Sequence, residues 1–173
     1  MRLFIGIKTG CEEHLTALQD ELRKMGHGRF THAGNLHITL KFLGELPPGK
    51  VSGLCEAIAE VGGAPFALEI GGARIFNRSG IMAADVTAGA DALEALAARL
   101  ETALEQRGYA REKRPFKAHI TLARDYEPHG DIGGVPQQRC SFNVDEVILF
   151  ESRRENGRLV YVPLFTHRLG GGD

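Results

Sequence analysis

The tetrapeptide His-Ile-Thr-Leu occurs twice in this chain, at 37–40 within "NLHITLKFLGE" and at 119–122 within "FKAHITLARD". Polar and apolar residues alternate in it, which is the period of a half-buried β-strand. On such a strand His37 and Thr39 share one face, while Ile38 and Leu40 take the other. His119 and Thr121 stand in the same relation to Ile120 and Leu122. Side chains two apart on one face are about 6.6 Å from each other at the backbone, so an imidazole and a hydroxyl can converge on one small anion. The two copies lie 119 − 37 = 82 residues apart. That spacing suggests two related halves rather than a solenoid of short repeats.

The surrounding pattern limits the fold. Leu3–Lys8 reads as a first strand. Thr9-x-x-Glu12 has the spacing of a capping box, and Leu15, Leu18, Leu22 and Met25 form the buried stripe of the helix it would open, closed by Gly26 and Gly28. Leu36–Leu43 is the first motif strand. Pro48 suits a first helical turn, and Val51, Leu54, Cys55, Ile58 and Val61 continue with helical period. Phe66–Ile70, Ala73–Phe76 and Ile81–Val86 are short apolar strands, with "NRSG" at 77–80 as a hairpin turn. A helix over Asp91 to Arg107 buries Leu93, Leu96, Leu100 and Leu104. After the second motif strand, 125–138 reads as an exposed loop. Val147–Ser152 and Arg158–Val162 flank an Asn156-Gly157 hairpin turn. Strands next to strands with three helices between them predict an α+β fold with mainly antiparallel sheet.

Composition removes several function classes. No apolar run approaches the length of a membrane span, and "MRLFIGIKTG" lacks a signal peptide's apolar region. The formal net charge is −1. A protein that grips long nucleic acid through many phosphates carries an excess of Lys and Arg, so a nucleic-acid partner here is expected to be a short piece or an end. Cys11, Cys55 and Cys140 are odd in number and scattered. They argue against a disulfide framework or zinc cluster and fit a reducing cytoplasm.

Two motif strands facing each other would place two imidazoles and two hydroxyls in one hollow. One ring can be neutral and the other protonated near neutral pH. That is what hydrolysis of a cyclic phosphodiester requires. A base takes a proton from water, an acid gives one to the departing oxygen, and hydroxyls donate to the non-bridging oxygens. The scheme needs no metal, and two histidines without a third ligand at suitable spacing leave a zinc site incomplete. Two ordinary strands that share a pattern are the competing reading, given seven histidines in the chain.

With these flanks, the chain resembles the two-histidine phosphoesterases, specifically the bacterial RNA 2′,3′-cyclic phosphodiesterases, also called the 2′-5′ RNA ligase family. The likeness runs from "RLFIGI" at 2–7 through both motifs to the closing hairpin. It implies a bilobal α+β fold, one unit over 1–173, in which pseudo-symmetric lobes with outer helices each give a motif strand to a central cleft. It implies opening of a terminal 2′,3′-cyclic phosphate on RNA to a 2′-phosphate without cofactor or metal, and weak reverse 2′-5′ ligation. His37 would be the acid that protonates the 3′ oxygen and His119 the base that activates water. Thr39, Thr121 and Arg124 would bind the phosphate.

Strict alternation sends Arg124 to the Ile120/Leu122 face, so its phosphate role requires the strand to end or bulge after Leu122. Phe42 reads as a core residue and Lys41 as a solvated lysine on the His37 face. Lys113, Arg114 and Lys117 form a basic approach to the second motif. Ala118 stands where the family commonly has proline, and no tryptophan occupies the strand near Ile81-Met82. His14, His27, His32, His129 and His167 are read as exposed or structural. The expected partners are RNA ends or short oligonucleotides, with the protein a cytoplasmic monomer away from membranes. The alternatives are a nucleotide- or RNA-end-binding module with little catalysis, and the same chemistry on another cyclic or 2′-5′-linked nucleotide.

Overall fold

The motif strands fall in different sheets. The computed structural model describes residues 1–77 and 79–170. It contains nine strands among these residues: β1 (Arg2–Lys8), β2 (Gly26–Phe30), β3 (His37–Glu45), β4 (Phe66–Asn77), β5 (Ile81–Ala88), β6 (His119–Pro128), β7 (Cys140–Val144), β8 (Glu146–Glu155) and β9 (Arg158–Arg168). The helices are α1 (Glu12–Met25), α2 (Val51–Ala59) and α3 (Ala90–Glu105). One sheet has the order β3-β1-β8-β9 and the other β2-β6-β5-β4-β7, and every pairing is antiparallel. The first motif thus lies on an edge strand of one sheet, and the second on an inner strand of the other.

Helix α1 packs on β2 and β6, burying Leu15, Leu18 and Leu22. Helices α2 and α3 pack on each other, α2 also on β8 and β9, and α3 on β3. Their leucine stripes join the inner faces of both sheets in one large apolar cluster, to which Ile38, Leu40, Ile120 and Leu122 belong. A second, small cluster of Phe4, Ile148 and Phe150, with Tyr161 against it, lies apart from that core.

Several expectations are corrected. Helix α1 begins at Glu12 with Cys11 as N-cap and no side-chain cap bond, so Thr9 forms no capping box. Gly26 and Gly28 do not merely stop the helix but form β2. A side chain at Gly26 would drive its Cβ into the Glu127 carbonyl oxygen, so the close approach of β2 to β6 needs glycine there. Strand propensity misses this segment because close approach, not packing of branched side chains, selects its residues. Strand β6 runs to Pro128, and the predicted loop shrinks to the segment before β7. Tyr126 anchors the added length, its hydroxyl donating to the Leu22 carbonyl at 2.7 Å. The two short strands at 66–70 and 73–76 are one strand with an irregularity at Gly71-Gly72. The predicted "NRSG" turn joins antiparallel β4 and β5, although its Arg78 lies outside the described residues. The Asn156-Gly157 turn forms as expected, both residues at positive φ of 49° and 80°.

Cys11 and Cys140 form a disulfide across 129 residues of sequence, leaving Cys55 as the free thiol. This overturns the expectation of unpaired cysteines. Separation along the chain carries no information about separation in the fold, and the cysteines therefore no longer argue for a reducing compartment. No helix among the described residues is long and apolar enough to cross a membrane.

Candidate active site

Strands β3 and β6 share one irregularity at the same place. Along β1, Ile5 pairs with Lys41 and Gly6 with Thr39, so Leu40 is an extra residue on β3. Along β5, Met82 pairs with Ala123 and Ala83 with Thr121, so Leu122 is an extra residue on β6. A bulge of this kind resets the alternation of faces. Burial follows one sequence in both strands: half-buried His, buried Ile, half-buried Thr, two buried residues, then an exposed one. The fifth residue after each histidine, Phe42 or Arg124, is thereby turned outward. The residue before it, Lys41 or Ala123, turns into the protein.

This resolves the placement of Arg124 in favour of the bulge. It also corrects two expectations. Phe42 is 58% exposed and belongs to the His37 side, its ring 6.0 Å from Phe4, which lies 4.9 Å from the His37 ring. Lys41 is not solvated but 7% exposed. Its Nζ lies 2.8 Å from a Glu101 carboxylate oxygen and donates to the Ala110 carbonyl, also at 2.8 Å.

Each imidazole is held by a carbonyl two residues upstream. His37 Nδ1 is 2.7 Å from the Asn35 oxygen, and His119 Nδ1 is 2.8 Å from the Lys117 oxygen. A carbonyl can only accept, so Nδ1 carries the proton in both rings and Nε2 keeps the lone pair of the neutral imidazole. His37 Nε2 is 2.8 Å from the Thr39 hydroxyl, which donates to the neutral ring. His119 Nε2 and the Thr121 and Arg124 side chains make no hydrogen bond or ion pair among the described residues.

Ring contacts keep the imidazoles from turning. Phe76 stacks on His119 with centroids 3.9 Å apart and planes at 22°. Phe4 and Tyr161 flank His37 at 4.9 and 5.0 Å. Asn35, itself buried, donates from its amide to the Leu159 carbonyl at 2.8 Å and so ties the first histidine's support to β9.

Burial lowers the pKa of His37 below its ordinary range, opposed by the Asn35 carbonyl and deepened by the charges of Arg124 and His119. Burial also lowers His119, opposed by the Lys117 carbonyl and deepened by Arg124 and Arg74, with Asp85 opposing. Arg124 thus acts on both rings, and His119 acts on His37. Asp85 lies directly across from His119 on β5 and is paired with Arg74.

The cleft has two arms that meet at Phe42. One, of about 450 Å³, is walled by Phe42, Phe76, Pro115 and Phe116 and reaches Thr39 and His119. Of the predicted basic approach, Arg114 and Lys117 line this arm beside Glu112, whose carboxylate accepts from the Lys113 and Arg114 backbone N–H groups. The other arm, of about 780 Å³, contains His37, Arg124 and Tyr161.

Sequence reasoning missed Phe76, Tyr161 and Asn35 because their roles arise across strands. The supporting carbonyls leave no trace in sequence, since any residue supplies one. The other five histidines are used elsewhere: His14 on the Gly71 carbonyl, His167 on the Val61 carbonyl, His32 accepting from Gly34 N–H, and His27 against His129.

Two half-buried His-x-Thr pairs, each imidazole oriented by a carbonyl, thus stand beside adjoining hollows, and Arg124 bears on both rings. Comparisons with known proteins give the family. The model of the LigT-like phosphoesterases matches residues 5–82 and 85–161, one motif in each part. RNA 2′,3′-cyclic phosphodiesterase of Escherichia coli is 33% identical over 137 residues, covering 79% of this chain and 77% of that protein. The Geobacillus stearothermophilus protein of that name is 34% identical over 136 residues, 73% of this chain but 43% of its own length, so the chain spans under half of that relative. Among solved structures, E. coli LigT complexed with 3′-AMP superposes with a TM-score of 0.84 at 30% identity, covering 98% of each chain. TT0787 of Thermus thermophilus gives 0.81 at 25% identity over the full length of both. The chain belongs to the LigT-like phosphoesterase family.

Proposed function

We propose that this chain, acting as one unit over 1–173, hydrolyses 2′,3′-cyclic phosphate ends of RNA to 2′-phosphates. The reading is carried by the mirrored imidazoles, each with Nδ1 tied to a carbonyl and Nε2 toward a hydroxyl or open cleft. The names of the relatives supply the substrate class.

In this reaction water attacks phosphorus opposite the 3′ oxygen. His119 Nε2, whose lone pair has no protein donor among the described residues, takes the water proton. The P–O3′ bond breaks, and His37, protonated on Nε2, gives that proton to the departing O3′. The phosphate stays on O2′. Negative charge gathers on the non-bridging oxygens, where Thr39, Thr121 and Arg124 donate hydrogen bonds. Protonation of His37 releases the Thr39 hydroxyl from Nε2, so one event both arms the acid and frees a phosphate donor. Ligation at the same centre has a 5′-hydroxyl attack the cyclic phosphate in place of water: His119 takes the hydroxyl proton, the P–O3′ bond breaks, His37 protonates O3′, and a 2′-5′ linkage results. RNA ends are the partners in this reading, and the monomer is the acting form.

The test is turnover of 2′,3′-cyclic nucleotides in EDTA. His37→Ala and His119→Ala are each expected to lose about 10²–10⁴-fold in kcat, the usual share of one positioned acid or base. Full activity in either variant, or a 3′-phosphate product, overturns the reading.

A further inference from the structure

The larger arm of the cleft differs from the smaller in charge, although the whole chain is close to neutral. Arg2, Arg29, Arg124, Arg153 and Arg154 line it, against the carboxylates of Glu45 and Glu151. Two of these arginines are already neutralised. Arg29 pairs with Asp125, and Arg153 with Glu151 and Glu155. Arg2 and Arg124 have no hydrogen-bond or ion-pair partner among the described residues, and Arg154 donates only to the Gly157 carbonyl at 3.0 Å. Three guanidiniums in one open channel therefore have no ion-pair partner among the described residues, Glu45 being paired with the N-terminal ammonium. The channel begins at His37 and Arg124, where the reacting phosphate would sit, and runs to Arg2 and Arg154 on neighbouring strands of the four-stranded sheet.

A channel with spaced, unneutralised guanidiniums suits a ligand with spaced negative charges. Phe42 and Tyr161 in its wall supply faces on which bases can stack, as in sites that hold single strands without reading sequence. The smaller arm, walled by phenylalanine and proline, carries two cations without an ion-pair partner among the described residues, Arg114 and Lys117, with the Glu112 carboxylate beside them, so its positive charge is smaller.

We propose that the Arg2–Arg154 arm holds the backbone phosphates of single-stranded RNA on the 5′ side of the reacting end, so that the enzyme prefers oligonucleotide ends to free cyclic mononucleotides. This rests on the proposed phosphodiesterase reaction and adds its substrate size. Arg2 and Arg154 are exposed, and neither hydrogen-bonds to an imidazole. Each phosphate they neutralise displaces bound counter-ion, which makes the interaction salt-dependent.

The experiment compares wild type with the Arg2→Gln/Arg154→Gln double variant on a 2′,3′-cyclic mononucleotide and on an octanucleotide with the same end. The expected result is a loss of about tenfold in kcat/KM on the octanucleotide and less than about twofold on the mononucleotide. The slope of log(kcat/KM) against log salt for the octanucleotide should flatten by about 0.7 for each arginine removed. Equal losses on both substrates, or no loss on the octanucleotide, overturns the proposal. If the wild-type protein turns over neither substrate, the phosphodiesterase reading fails by itself. The arm is then tested by fluorescence anisotropy with a labelled octanucleotide ending in 2′-phosphate. Weaker binding by the double variant supports the arm, and unchanged binding overturns it.

Discussion

His37 and His119 keep their protons on Nδ1, and burial makes both rings harder to charge than a free imidazole. In the proposed reaction, productive free enzyme has one ring protonated and the other neutral. With both values lowered, that combination peaks on the acid side of the usual imidazole value of about 6.5. The pH profile of kcat/KM on a cyclic mononucleotide is therefore expected to be a bell centred below that pH. Arg124 lowers both rings, so Arg124→Gln should move the bell to higher pH while reducing its height about 10²-fold or more, the usual effect of removing one donor to a developing charge. A profile that stays in place after the substitution would deny Arg124 its position near both rings. Lys41 gives a second prediction at this scale. Removing one member of a buried ion pair costs about 3–5 kcal/mol, because the other charge is stranded. Lys41→Met is expected to lower the denaturant midpoint accordingly, whereas a solvated lysine would tolerate the change.

The paired bulges in β3 and β6 turn strands that could carry only a histidine and a threonine into strands that also aim Phe42 and Arg124. In β6 the bulge is held from behind by helix α1. Gln19, 2% exposed, donates to the carbonyls of Thr31 at 2.7 Å and Leu122 at 3.0 Å, and the Thr31 N–H donates to Leu122 as well. Gln19→Leu leaves these buried acceptors short of a donor, at a cost of about 1–3 kcal/mol. If the bulge depends on Gln19, kcat/KM should fall by more than the unfolded fraction explains, because Arg124 loses its direction. Lost stability with unchanged kcat/KM per folded molecule would show that the β-ladders alone hold the bulge.

Across the whole molecule, one disulfide closes most of the chain into a loop, joining the start of α1 to β7. In the chain-entropy account, a loop of this length stabilises by about 4–5 kcal/mol. Titration of unfolded protein should find one thiol before reduction, Cys55, and three after it. Reduction should lower the melting temperature while the cleft geometry survives, since neither cysteine lines the cleft. Three thiols in protein kept from reductant would show the bridge does not form.

What the sequence determined by itself was local. Alternation in His-Ile-Thr-Leu put histidine with threonine, leucine stripes marked α1 and α3, and Asn156-Gly157 marked the last hairpin, because each signal is carried by neighbours in the chain. The repeat also marked the two imidazoles whose Nδ1 atoms are held by backbone carbonyls. The rest depended on partners far away in sequence. The bulges show only against β1 and β5, so the faces of Lys41, Phe42 and Arg124 could not be read from alternation. Strand β2 needed the surface of β6 to make its glycines intelligible, Cys11 and Cys140 needed the fold to meet, and Phe76 needed the fold to bring β4 within reach of His119. A residue's face, its burial and its charge partners are set by what packs against it, and only the tertiary structure supplies that neighbour.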